Sequence, residues 1–204
     1  MKYSRLNMIW QTTGGLLAPV MLTILIIQIY TDPNLNLYQW LMWLHIPLLF
    51  MHEYEEYVIT PDGFKKFVNT HTPISLNPPQ EDTPVNDELI FVINIIGWIW
   101  AIAGALLSKI APWIGAGFLL LQFLINCLTH PVIFQLKRKA YNPGLATTLV
   151  LLIPYITFVF WYIVTSNLFT NIDWILTFIL GIGVSASFPN WSILLKRNKK
   201  NQCD

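Results

Sequence analysis

Leu48-Leu-Phe-Met-His-Glu-Tyr-Glu-Glu-Tyr57 is the stretch on which the reading of this chain turns. An apolar segment runs straight into one imidazole and three carboxylates. On a helix, at about 100° per residue, Glu55 falls about −60° and Glu56 about +40° from His52. His45, one heptad earlier, lies on the same stripe at about −20°. Glu53, at about +100°, points elsewhere and is expected to be a solvated acid at a helix end. The rest of the chain then reads as a scaffold that holds this cluster at a membrane boundary.

The composition supports that scaffold. The 204 residues are 54% hydrophobic and 11% charged, with a mean hydropathy of +0.51. Soluble domains carry about 25% charged residues, so this chain is expected to be an integral membrane protein. Fourteen per cent aromatic residues, including nine Trp, suit interfacial belts. A net charge of +1 without a basic block gives no sign of nucleic-acid binding, and no such partner is expected. Cys127 and Cys203 form neither a metal spacing nor a disulfide framework.

Six segments are apolar and long enough to span: 9–30, 36–54, 88–107, 112–133, 144–164 and 172–193. The expected fold is an all-α transmembrane bundle, one domain over residues 1–204. Placing the N-terminus in the cytoplasm puts eleven of the twelve Lys and Arg residues inside and leaves only Lys109 outside. Both termini are therefore expected in the cytoplasm, and the membrane is expected to be the plasma membrane. Residues 57–87 are rich in Pro and read as a polar cytoplasmic linker, with Phe64-Lys-Lys-Phe67 as a short interfacial helical turn. Gly97, Ala101 and Ala105, and Gly104 with Ser108, form small-residue stripes suited to close helix packing.

That topology gathers scattered polar residues on one side. His52, Glu55 and Glu56 end the second span. Asn86, Asp87 and Glu88 open the third, which also carries Asn94. Gln122, Asn126 and His130 recur every four residues toward the inner end of the fourth. Ionisable groups at membrane depth are costly and normally face a bundle interior. Three readings of the cluster stay open. His52, His130 and Glu55 or Glu56, with His45 deeper on the stripe, can bind a divalent metal such as zinc, iron or manganese. Alternatively, Glu55 and Glu56 exchange protons, or one acts as general base. In the third reading they are only a solvated helix end. His45 can instead serve the carbonyl that Pro47 leaves without a donor. Tyr141-Asn-Pro-Gly144 reads as an interfacial anchor and a helix start.

At these residues the chain resembles the HXXEE-domain membrane proteins. His52-Glu-Tyr-Glu-Glu56 matches the signature, His130 the family's further histidine, and Tyr141-Asn-Pro-Gly144 its Tyr-x-Pro-Gly motif. The order is that of the family, over about residues 40–165. The resemblance marks His52, Glu55, Glu56, His130, Tyr141, Pro143 and Gly144, and it carries no established activity. Four histidines are too few for the His boxes of membrane di-iron desaturases. Glutamate-dependent intramembrane proteases are only a remote parallel, since Thr60 stands where their Arg follows the Glu pair. The expected function is a membrane-embedded enzyme acting on a lipid-soluble or interfacial substrate, with His52, Glu55, Glu56 and His130 as catalytic or metal-binding residues. The alternatives are a proton-coupled carrier using Glu55 and Glu56, or a scaffold without chemistry.

Overall fold

The computed structural model describes residues 2–60, 63–71, 78–80, 83–135 and 141–200, with side chains from residue 3 to residue 186. Parts of the Pro-rich 57–87 segment, the basic residues Lys137 to Lys139, and Cys203 lie outside the described residues, as do the side chains of Lys196 to Lys200.

The described fold is all-helical. Helix α1 is Lys2–Thr31. Helix α2, Leu37–Tyr54, starts where the Asn36 side chain accepts the Gln39 N–H at 2.9 Å. It runs on through a wide π turn, Glu55–Ile59. Helix α3 is Gly63–His71. Helix α4, Asp87–Leu106, is capped in the same way by Asn86 on the Leu89 N–H. Helix α5, Pro112–Phe134, and helix α6, Leu145–Thr165, follow. Helix α7, Asn171–Lys200, opens on a reciprocal Thr170–Asp173 cap.

Four of these helices are long and apolar enough to cross a membrane: Tyr3–Thr31, Asp87–Leu106, Pro112–Phe134 and Leu145–Thr165. The other two expected spans differ for identifiable reasons. Helix α2 is diluted by His45, Pro47, His52 and Glu53. In α7 the apolar part that is described, Asn171–Ala186, is shorter. Yet α2 is the central helix. It buries Tyr38, Leu41, Met42, Ile46, Leu49 and Phe50, whereas α1 and α7 expose most of their large apolar side chains. The helix that carries His45, His52 and Glu53 is inside, and exposed large apolar side chains cover the outer helices, the reverse of a water-soluble bundle.

Neighbouring helices approach at small residues. A Cβ on Gly104 would stand 2.8 Å from the Gly115 Cα, so α4 and α5 touch backbone to backbone. The stripe residues Ala101 and Ala105 are buried on the same helix. Aromatic donors tie other pairs. The Trp40 Nε1–H donates to the Leu25 carbonyl at 2.9 Å, and the Tyr155 hydroxyl to the Leu41 carbonyl at 2.7 Å.

The segment expected to be a linker contains a packed helix. In α3, Asn69 is fully buried. It donates to the Val85 carbonyl at 2.6 Å and accepts the Val85 N–H at 2.8 Å. Lys65 pairs with Asp87 of α4 at 2.9 Å. Phe67 and Val68 join Trp10, Val85, Ile90 and Phe134 in a second apolar cluster. This helix closes over the end of α2.

The π turns fall at Glu55–Ile59, Phe123–Cys127, Thr129–Phe134 and Thr148–Leu152. Two of them have a proline nearby. Pro131 lies in the third and Pro154 just past the fourth. Each lacks an N–H and crowds the carbonyl four residues back, so the helix widens. In the first, the Thr60 hydroxyl reaches back to the Glu55 and Glu56 carbonyls at 3.1 and 3.2 Å.

Candidate metal centre

These wide turns shift helical register where the sequence places its acids and imidazoles. His52 leaves α2 on the expected face, and Glu56, one turn on, joins it: Glu56 Oε1 is 3.4 Å from His52 Nε2. His130, from the proline-widened turn of α5, brings its Nε2 to 3.1 Å from the same oxygen. The two rings are perpendicular, with centroids 5.3 Å apart. Each residue offers one ligand atom, and all three atoms lie within 4.8 Å of one another. All three side chains are buried, at 1%, 5% and 1% exposure for His52, Glu56 and His130.

The groups behind the imidazoles decide which nitrogen carries the proton. Asn142 donates from Nδ2 to the His130 carbonyl at 3.1 Å, which leaves its Oδ1 as the acceptor facing His130 Nδ1 at 2.6 Å. His130 is therefore protonated on Nδ1. Thr147 spends its one hydroxyl proton on Glu55 Oε2 at 2.5 Å, so at 2.9 Å from its oxygen His52 Nδ1 must donate. In their neutral forms both rings present the lone pair of Nε2 to the Glu56 carboxylate. His52 Nε2 is buried without a hydrogen bond. Donor atoms bonded at about 2.0–2.1 Å to one tetrahedral ion stand roughly 3.3–3.4 Å apart. Two of the three separations, 3.4 and 3.1 Å, are close to that spacing. Imidazoles oriented through Nδ1–H to a fixed acceptor are a regular feature of metal ligands.

Gly144 closes the cluster from the α6 side. Its φ is +89°, a left-handed conformation that favours glycine. A Cβ there would meet His130 Cε1 at 2.8 Å, and Glu56 Cγ and His52 Cε1 at 2.9 Å. The Tyr141-Asn-Pro-Gly144 stretch is thus part of the site. Tyr141 donates to Glu55, Asn142 orients His130, and Gly144 lies against all three candidate ligands. Tyr141 stands outside the long helices. Burial and the adjacent Glu55 carboxylate push its hydroxyl up to about 12.

Glu55 turns away from the cluster. Oε1 accepts from the Tyr141 hydroxyl and from the Ala146 N–H at 3.0 Å. Oε2 accepts from the Thr147 N–H at 2.7 Å and from its hydroxyl. Four donors fill the four acceptor positions of an ionised carboxylate. Glu55 therefore clamps α2 to the start of α6 and has no lone pair directed at the imidazoles or at a water. His45 is also apart, about 10 Å deeper along α2. It stacks on Tyr155 and meets the edge of Phe118, and neither ring nitrogen has a hydrogen bond. It does not serve a carbonyl freed by Pro47. Glu53, expected in solvent, is 3% exposed and accepts the Trp98 Nε1–H at 2.5 Å. Asn126 donates to Gln122, and that pair stays out of the cluster. His71 is exposed, as expected.

Sequence reasoning missed Thr147 and the orienting role of Asn142. The signal for Thr147 was a hydroxyl one turn past Gly144, at the head of an apolar helix. Tyr54 packs on Gly15 and Glu53 bonds Trp98, eleven residues or about 16 Å into α4. The cluster is level with the middle of α1, and α3 stands over it through Phe64, whose ring lies 6.0 Å from that of His130.

Comparison with family models gives one match, over residues 43–159, to a family described as a protein of unknown function with an HXXEE motif. No curated protein and no solved structure matches the chain.

Proposed function

The chain belongs to the HXXEE family, and from that premise we propose that it is a membrane protein whose family motif is a metal site, serving an enzyme that acts on a lipid-soluble substrate. The observation that carries this reading is the facing of two Nε2 lone pairs and a carboxylate oxygen in a buried space. Such an arrangement needs positive charge at its centre. A proton on His130 Nε2 would satisfy one contact and leave His52 Nε2 buried and unpaired, at a cost of about 1–3 kcal/mol. A divalent cation satisfies all three atoms at once. Zinc, iron and manganese accept two imidazoles and a carboxylate. Three protein ligands leave a coordination position open, and an ion so held acidifies water or polarises a carbonyl or phosphoryl oxygen. The chain's own part is to fix both tautomers through Asn142 and Thr147, to hold Glu56 between the rings, and to keep bulk water off with α3. Glu55 acts by positioning Thr147 and Tyr141.

The same reading places six spans in the plasma membrane, both termini in the cytoplasm, and the cluster within the inner half of the bilayer. Burial of His52, Glu53, Glu55, Glu56 and His130 supports it. Four donors on Glu55 weigh against a carrier in which that acid takes up and releases protons.

Elemental analysis of detergent-purified protein tests the proposal. About one divalent metal per chain is expected in the wild type, and less than a tenth of that in His52→Ala, Glu56→Gln and His130→Ala. Equal metal in all four, or none in a folded wild type, would overturn it.

A further inference from the structure

A cavity of about 440 Å³ lies between α1 and the Glu55 clamp. Its α1 wall is Gly15, Ala18, Pro19 and Leu22, a single stripe at i, i+3, i+4 and i+7. Its polar lining is Tyr54, Glu55, Tyr141 and Thr147. We propose that this cavity binds one chain of an uncharged, hydroxyl-bearing amphiphile drawn sideways from the bilayer.

Three observations carry the proposal. The first is depth. The α1 stripe sits at the middle of the apolar helix Tyr3–Thr31. The neighbouring Leu16 and Val20 are 68% and 54% exposed, and Ile59 and Tyr141, which also line the cavity, are 63% and 54% exposed. A mouth rimmed in this way opens at the depth of hydrocarbon, while α3 covers the other approach. The second is capacity. A volume of about 440 Å³ has room for a segment of an acyl chain. It is also within the size range of sites that hold small molecules. The third is the chemistry of the polar end. Phenol and threonine hydroxyls surround a carboxylate already ionised and fully bonded. An anionic head would be repelled there, whereas an uncharged hydroxyl can pair with Tyr54, because Tyr141 and Thr147 already spend their hydroxyl protons on Glu55. The cavity is separated from the metal centre by one residue, Thr147, which bonds Glu55 on one side and His52 on the other. Binding here does not depend on a metal being present.

Native mass spectrometry of the detergent-purified full chain tests this, with a monoacylglycerol, a fatty acid and a lysophosphatidylcholine of one acyl length as probes. One monoacylglycerol per chain is expected, with the other two at least tenfold weaker. Leu22→Trp, which fills the cavity from a partly exposed position, should weaken binding at least tenfold. Tyr54→Phe should keep the chain bound and reduce the preference among heads. Metal content measured on the same samples should be that of the wild type, which shows that the variants fold. Equal retention of all three probes, or unaltered binding in Leu22→Trp with metal content intact, overturns the proposal. A wild type that binds the monoacylglycerol but holds no metal would sink the metal reading and leave this one standing.

Discussion

Glu55 and Glu56 are adjacent, identical in chemistry and on one side of a helix, yet they do different work. Glu56 lies between two imidazole nitrogens, and Glu55 ties α2 to the first turn of α6. Single substitutions should therefore separate them. Glu55→Gln puts an amide donor against Thr147 and Tyr141 donors and leaves buried groups unpaired, at about 1–3 kcal/mol each. It should lower the melting temperature by several degrees and reduce metal content only partly. Glu56→Gln should abolish metal binding with a smaller change in melting temperature once wild-type protein has been stripped of metal for comparison. Intrinsic tryptophan fluorescence during heating, paired with metal analysis, reads both. The angles of an ideal helix put His52, Glu55 and Glu56 on one face, and this much was legible in the sequence. Which acid meets the histidines was not, because a π turn begins at Glu55 and alters the rotation per residue. The burial of Glu53 was hidden for a related reason. Its partner, Trp98, is 45 residues away, and no local pattern reports a contact across helices.

At the scale of elements, the order and type of the helices followed from apolar run length and from caps such as Asn36 and Asn86. Helix α3 did not. It is short and bounded by prolines, and what fixes it is long-range: Asn69 on Val85, Lys65 on Asp87, Phe67 on Phe134. Its placement over His130 gives it a covering role. Removing Phe64 and Phe67 together with alanine takes away two aromatic anchors, a loss of roughly 3–5 kcal/mol for each one fully buried. The expected outcome is local opening of α3. Hydrogen–deuterium exchange should rise at least tenfold in peptides spanning residues 63–71 and rise in those spanning 52–60, while α5 and α6 stay protected. Unchanged exchange at 52–60 would show that α3 does not shield the cluster.

For the whole molecule, the inside-out distribution of polarity is the main physical fact. The central helix carries the histidines and acids, and the outer helices carry exposed Ile, Leu and Phe. Hydropathy alone revealed the class of fold and blurred the count, because the helix that holds the site is interrupted by His45, Pro47, His52 and Glu53. The proposed six-span arrangement is open to labelling. In a background with both cysteines replaced by serine or alanine, Asn34→Cys and Asn167→Cys should react with a membrane-impermeant maleimide on intact cells. Lys66→Cys should react only after the membrane is opened. Reaction of Lys66→Cys from outside would invert the topology. Labelling of Asn34→Cys and Asn167→Cys on opposite faces would remove a span.

The central claim is that His52, Glu56 and His130 close on one ion. X-ray absorption at the K-edge of the metal that copurifies tests it most directly. The account predicts a first shell of nitrogen and oxygen at about 2.0–2.2 Å, with the multiple-scattering signature of two imidazoles that falls to one in His130→Ala reloaded with excess metal. A sulfur shell, or a spectrum without imidazole that is the same in wild type and variant, would contradict it.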